Sequence, residues 1–501
     1  MKLPLRSAGL LAAATLAVGA AWPQASRADR VRFDREGVLG TSSSIVLDVP
    51  GPLAAGVEAS TYAEVERLRK ILDAYDPKSE LRTIPAGRPT PCSAELREVL
   101  KSARAWRIES GGAFDPGVGL LDELWRDAER TGSRPSDHVL EETIRTMRAS
   151  RWRVEGDLVQ RGESAISLDG LAKGLVLDRA AAVALKAGAQ AVVLEIGGDV
   201  IVRGRTARVP IAAPGRSADN APVLTVVPLA DQALATSGNK ARGYDVAGHH
   251  IGHVLDPRTG RPVEHLLQAS VIAPRAVDAD ALATALLVLP PDTGMPLITA
   301  REGFECLLVD REGAIHRSPG WPRSADEPSL PQGAWPAASH VHLDLEFARP
   351  LSAGKKRRSY RRPYVAVWVE SQGGAPVRTL CLWIQRERWL KDLRRWYRHH
   401  RADRPLIDAV SRPTRKPGQY SLVWDGLDDA GEPVSHGEYT IVIEMAREHG
   451  TYQLARASFD TRERGLEVRL DPNPELLSAA LRIGPAAPVD PAQTPARDSE
   501  D

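Results

Sequence analysis

The chain has 501 residues, 43% of them hydrophobic and 26% charged, with 66 Lys and Arg against 65 Asp and Glu. A net charge of +1 excludes a broadly basic nucleic-acid binder. Three cysteines without CxxC or Cys/His spacing exclude both a disulfide scaffold and a structural zinc site, and the length suits two or three domains.

Residues 1–28 read as a cleaved secretory signal peptide. Lys2 and Arg6 form a basic start, Gly9 to Trp22 an apolar stretch and Ser26-Arg27-Ala28 a small-x-small cleavage site. The stretch is shorter than the ~20 residues a membrane span needs. No cysteine lies at the cleavage site, so the expectation is a periplasmic or secreted protein that is not a lipoprotein.

Gly37 to Val49 reads as a strand. Thr61 to Ala74 is a predicted helix with Val65, Leu68, Ile71 and Leu72 on its apolar face. Ser93 to Ser110 is a second, burying Leu96, Val99, Leu100, Ala103 and Trp106. Val118 to Trp125 is a short segment with three leucines.

Ile166 to Gly204 carries the densest pattern: a turn at Asp169-Gly170 that suits a helix N-cap, a helix through Leu185, a C-cap glycine at Gly188, a buried strand Val192 to Ile196 and a double-glycine turn at Gly197-Gly198. Such a unit can hold a phosphate at its backbone, although plain helix-strand units look much the same. Strands and loops follow to Pro228, then the polar loop Ala235-Thr-Ser-Gly238, the turn His253-Val-Leu-Asp-Pro-Arg-Thr-Gly260 and an apolar helix Ala276 to Val288. A hairpin of Phe304 to Val309 and Ala314 to His316 closes the domain, expected to span 29–320.

Residues 321–339 read as a Pro/Ser/Ala linker. Residues 340–475 show short alternating strands with turn signals and one helix (Trp389, Leu393, Trp396, Tyr397), and 476–501 reads as a disordered tail. The expected fold class is α+β: a mixed α/β domain, then a β-sandwich-like domain with one helix. Residues 341–420 hold 19 Lys/Arg against 7 Asp/Glu, which suits either a solvated face or docking to an acidic partner or an anionic membrane surface. Asp425 to Gly431 suits a hairpin turn better than a calcium loop.

Asp280 and Thr284, four apart, share one helix face and offer hard oxygen ligands suited to Mg²⁺; equally, the hydroxyl can bond back to its own helix. The ordered set Gly40-Thr41, Gly112-Ala-Phe-Asp-Pro116, Asp169-Gly-Leu-Ala-Lys-Gly174, Asp178-Arg-Ala180, Ile196-Gly-Gly-Asp199, Ala235 to Gly238, His253 to Pro262 and Ala279-Asp-Ala-Leu-Ala-Thr284 resembles the ApbE-type FAD:protein FMN transferase family over about residues 35–320. One departure is Ser167, where that family often has Asp.

The resemblance implies cleavage of the FAD pyrophosphate and attachment of FMN, through its phosphate, to a Thr or Ser hydroxyl of an acceptor flavoprotein, with AMP leaving. It implies Mg²⁺ on the Ala172 carbonyl, Asp280 and Thr284, His253 as base, and FAD contacts at Asp115, Lys173, Gly197, Gly198, Thr236, Ser237, Asp256 and Thr259. This chain has no evident acceptor motif, so the acceptor is expected to be another chain. The residues equally suit Mg²⁺-dependent FAD hydrolysis; a non-catalytic flavin-binding scaffold is the third reading.

Overall fold

The computed structural model describes residues 29–149, 151–162, 166–214, 223–238, 243–322, 335, 339–347, 361–384, 387–403, 406–407, 410–448 and 450–484. The predicted signal peptide and most of the predicted linker lie outside them.

An eight-stranded antiparallel sheet carries the N-terminal domain. Its spatial order is Asp29–Val38, Thr41–Val49, Ala191–Ile196, Asp199–Arg203, Ala233–Gly238, Leu266–Ala273, Glu305–Asp310, Ile315–Arg317. Strict alternation decides which face each side chain takes: Ile45, Leu47 and Val49 are fully buried while their neighbours face the other side. The helices in chain order are α1 Ala54–Leu72, α2 Glu80–Thr83, α3 Ala94–Glu109, α4 Gly119–Thr131, α5 Asp137–Ala149, α6 Ala172–Lys186, α7 Ala276–Val288 and α8 Pro291–Thr299. Helices α1, α6 and α7 form a common core with the sheet. The hairpin Thr206–Ala212/Val223–Ala230 covers the other face around Val202, Val227, Leu234 and Trp321. Helix α7 is buried on nearly every side, as its mostly apolar composition requires, and Asp280 is buried with it.

The second domain is a β-sandwich. One sheet runs Gly418–Trp424, Val341–Phe347, Leu476–Ile483, Glu467–Leu470; the other runs Ser411–Arg412, Pro376–Trp383, Tyr364–Ser371, Glu438–Ala446, Tyr452–Asp460. Their inner faces share one core that includes Trp383, Trp424 and Met445. The short helix α9, Arg394–His400, covers the outer face of the five-stranded sheet through Trp396.

Several expectations need correction. The first strand is a hairpin, Asp29–Val38 with Thr41–Val49, and Gly40 takes the positive φ of its turn. Residues 476–483 are a strand at the centre of a sheet, with Leu476, Ala479, Leu481 and Ile483 buried, so the domain does not end at 475; 485–501 lie outside the described residues. The predicted linker donates two anchors: Trp321 packs in the first domain, and Trp335 stacks on His436 in the second. The expected single helix near Trp389 is a 3-10 turn, Glu387–Asp392, followed by α9. Helix α5 adds to the predicted set, its apolar residues Leu140, Ile144 and Met147 lying at helical spacing. Asp425 to Gly431 is a turn whose carboxylates are occupied: Asp428 accepts Ala430 and Glu432 N–H, and Asp429 accepts Thr379 N–H. Cys92, Cys306 and Cys381 form no disulfide with one another.

Candidate functional site

The starts of α6 and α7 meet. Gly174, in the first turn of α6, touches α7 so closely that a Cβ there would lie 2.3 Å from the Ala276 carbonyl oxygen. Each helix then satisfies the other's orphan donors. Asp280 on α7 accepts the Gly174 N–H at 3.0 Å, and Asp178 on α6 accepts the Ala276 and Val277 N–H groups at 2.9 and 3.1 Å. The cap of α6 therefore comes from across the fold. The expected N-cap at Asp169-Gly170 is not used: the cap position is Leu171, without a side-chain bond, because the chain turns there through Leu171 N–H to the Leu168 carbonyl. Gly188 does close the helix with positive φ, as predicted. Two positive helix ends converging on one place favour negative charge there.

Around this junction the sheet presents polar groups. Asp199, 2% exposed in its side chain, holds Lys173 Nζ at 2.5 Å through one oxygen and accepts the Thr236 N–H at 3.1 Å through the other. Thr236 Oγ1 lies 2.9 Å from Ser270 Oγ, and Ser237 Oγ lies 3.3 Å from Thr284 Oγ1. Gly170 leaves room beside Thr284, since a Cβ there would sit 3.0 Å from both the Thr284 hydroxyl and the Phe114 ring. Asp280 is buried, and burial raises its pKa well above the usual carboxylate range. The Asp199 charge pushes the same way, and Lys173 and the Gly174 N–H oppose. A cation beside Asp280 would offset that cost.

Gly197 and Gly198 form a two-residue hairpin turn, both at positive φ and both exposed. Gly197 N–H reaches the Ser42 carbonyl and Gly198 N–H reaches Glu195 Oε1 at 2.7 Å, and a Cβ on Gly197 would strike Thr41. Glycine is needed here by backbone conformation and by the close neighbour alike.

The predicted residues divide into two groups. Hydrogen bonds and chain adjacency tie Ala172, Lys173, Gly197, Gly198, Thr236, Ser237, Asp280 and Thr284 into one cluster. Asp115 borders it through Phe114, but its carboxylate is occupied by the Gly117 N–H and by Arg151 at 2.6 Å. His253, Asp256 and Thr259 stand on a separate loop. There Asp256 is held by Arg258, Thr259 Oγ1 accepts Arg261 N–H, and Trp125 anchors the turn by donating to the Gly260 carbonyl. His253 is exposed. Sequence reasoning passed over Asp199 and Asp178 as functional groups, although both stood in quoted motifs; nothing local reveals that one orients Lys173 and the other caps α7. Tyr75, whose hydroxyl donates to Asp169 at 2.6 Å, was also missed.

The ApbE family model matches residues 39–308, more than half of the chain. The chain belongs to the ApbE family. Residues 351–477 match a family described as a predicted periplasmic protein (DUF2271). Among relatives of this ApbE-family chain, the FAD:protein FMN transferase of Escherichia coli K12 is 28% identical over 285 residues, covering 52% of this chain and 80% of the relative. That of Rhodobacter capsulatus is 30% identical over 315 residues, covering 60% and 59%. The ApbE protein structure from Thermotoga maritima superposes with a TM-score of 0.52 at 26% identity, over 59% of this chain and all of that one. The Pseudomonas stutzeri flavinyl transferase ApbE, at 24% identity, has a TM-score of 0.51 over 58% and 96%, which speaks for the fold. Among the described residues no helix is long and apolar enough to cross a membrane.

Proposed function

We propose that this ApbE-family chain is an Mg²⁺-dependent FAD:protein FMN transferase working outside the cytoplasm after signal-peptide removal. The observation that carries the site assignment is the Asp280 carboxylate. It is fixed by Gly174 N–H, buried one helical turn from Thr284 on α7, and raised in pKa where a cation would be welcome. The donor set fits Mg²⁺: one carboxylate, one hydroxyl and the Ala172 carbonyl are hard oxygens few enough to leave room for phosphate and water.

When bound, the ion supplies charge neutralisation at the pyrophosphate. Lys173, aimed by Asp199, supports the phosphates, and the hydroxyls of Thr236 and Ser237 with the Gly197-Gly198 backbone orient FAD. An imidazole nitrogen of His253 takes the proton from the acceptor Thr or Ser hydroxyl. That oxygen bonds to the FMN phosphorus while the phosphorus–oxygen bond to AMP breaks, and AMP leaves with the bridging oxygen. Asp115, Asp256 and Thr259 hold the walls of the site through their turns.

The purified protein mixed with FAD, Mg²⁺ and an extract of the same cells should yield a flavin-fluorescent band on a denaturing gel, with AMP released in step. AMP and free FMN without a labelled band would favour hydrolysis instead; neither product would refute the assignment.

A further inference from the structure

A cleft of about 780 Å³ lies where the sandwich meets the edge strand of the first domain. The two domains join there through Arg32, which donates to the Ser411 carbonyl at 2.8 Å, and through Arg415 with Glu36 at 3.0 Å. Four carboxylates border the cleft, and each has an arginine: Glu58 takes Arg35, Asp34 takes Arg32, Glu36 takes Arg415 and Glu448 takes Arg361.

Arg362 and Arg388 remain. Arg362 donates to the neutral Thr414 carbonyl at 3.2 Å, with Glu36 nearby already bonded to Arg415; Arg388 lies 4.7 Å above the Trp389 ring. The lining itself is balanced, four arginines against four carboxylates, but Asp34 and Glu36 are bonded from outside it by Arg32 and Arg415, which leaves Arg362 and Arg388 facing the cleft with no carboxylate bonded to them among the described residues. Trp389 in turn stacks on Tyr364 with ring planes 14° apart, giving the cleft an aromatic floor.

Its position matters as much as its charge. Glu36 pairs with Ser42 on the next strand, and the Ser42 carbonyl accepts the Gly197 N–H of the double-glycine turn. Two strand spacings, roughly 10 Å, separate cleft and turn, a gap that about three extended residues span. Arg412 of the sandwich also lies beside Glu195, whose carboxylate holds Gly198.

We infer that this cleft docks a carboxylate-rich peptide segment of the acceptor protein, placing a nearby Thr or Ser hydroxyl at the flavin site. The inference rests on the transferase reading for the identity of the partner, but not for the binding itself. A concave site with an aromatic floor suits a peptide chain, whereas a membrane surface calls for a convex or flat basic patch.

The test uses the intact protein and a fluorescein-labelled hexaglutamate peptide, followed by anisotropy at low salt. Arg362→Glu with Arg388→Glu should weaken binding at least about tenfold, while Arg469→Glu, an exposed change elsewhere on the sandwich, should not. Arg388→Gln alone, which removes an exposed charge, should give an intermediate loss and stands in if the double variant unfolds. FAD binding, read by flavin fluorescence, should be unchanged in all three. Equal peptide binding by wild type and folded variants would overturn the proposal. So would cleft-dependent binding to phosphatidylglycerol vesicles without peptide binding, which would make the site a membrane contact. AMP release by the wild type is scored separately: its absence would fail the transferase reading while cleft-dependent peptide binding would still stand.

Discussion

Asp280 accepts the backbone N–H of Gly174 at 3.0 Å, and so ties the first turn of α6 to the side of α7. The contact is possible only because Gly174 has no side chain. Gly174→Ala would force a methyl to within 2.3 Å of the Ala276 carbonyl oxygen, a backbone atom that cannot rotate away. Separating the helices should cost about 1–3 kcal/mol, the range for overpacking a tight core, and should weaken Mg²⁺ binding as Asp280 moves. Urea unfolding and a thermal-shift titration with Mg²⁺ measure the two effects; an unchanged midpoint would mean the helices have slack.

Asp280→Ala should abolish Mg²⁺-dependent turnover almost completely, because it removes the sole charged group of the proposed ligand set. Thr284→Ala should weaken the metal and keep partial activity, since a neutral oxygen is lost and water can replace it. Both should remain folded by circular dichroism. An Asp280→Ala protein with wild-type Mg²⁺ dependence would exclude the site.

The pH response follows from the raised pKa of Asp280. Without metal, the folded state keeps a proton that the unfolded state has already released, over the window from the ordinary carboxylate range up to the raised value. The stability contribution of this group therefore falls as pH rises through that window. Mg²⁺ needs the ionised form, so its stabilisation appears over the same rise. The Mg²⁺-induced shift in Tm should be large at pH 8 and small at pH 5, and Asp280→Asn should remove the difference. Equal shifts at both pH values in the wild type would contradict a metal held by Asp280.

His253→Ala should bind FAD with near-normal affinity and lose transfer by about 10²–10⁴-fold, the usual contribution of a general base. Binding is followed by flavin fluorescence and transfer by gel fluorescence. Wild-type turnover with FAD bound would make His253 a structural residue of its loop.

Much of this protein was legible in the sequence because its signals are local. Apolar periodicity marked α3, α7 and the buried strand before Gly197, and φ-demanding glycines marked the double-glycine turn and the end of α6. The β-sandwich followed from alternation, although its last strand, Leu476–Ile483, did not. A short edge of apolar residues before a Pro/Ala run looks like a tail until Val341–Phe347 and Glu467–Leu470 close on either side of it. The tertiary structure alone decided which polar groups became a site. Asp178 and Asp280 are 102 positions apart in the chain and exchange caps between two helices; Asp199 meets Lys173 across 26 positions. Their roles depend on α6 and α7 touching at Gly174, a packing distance that no run of neighbouring residues records. The meeting of Arg415 with Glu36 across 379 positions, which shapes the cleft between the domains, has the same cause: charge in a sequence has a sign but no place until the chain has folded around it.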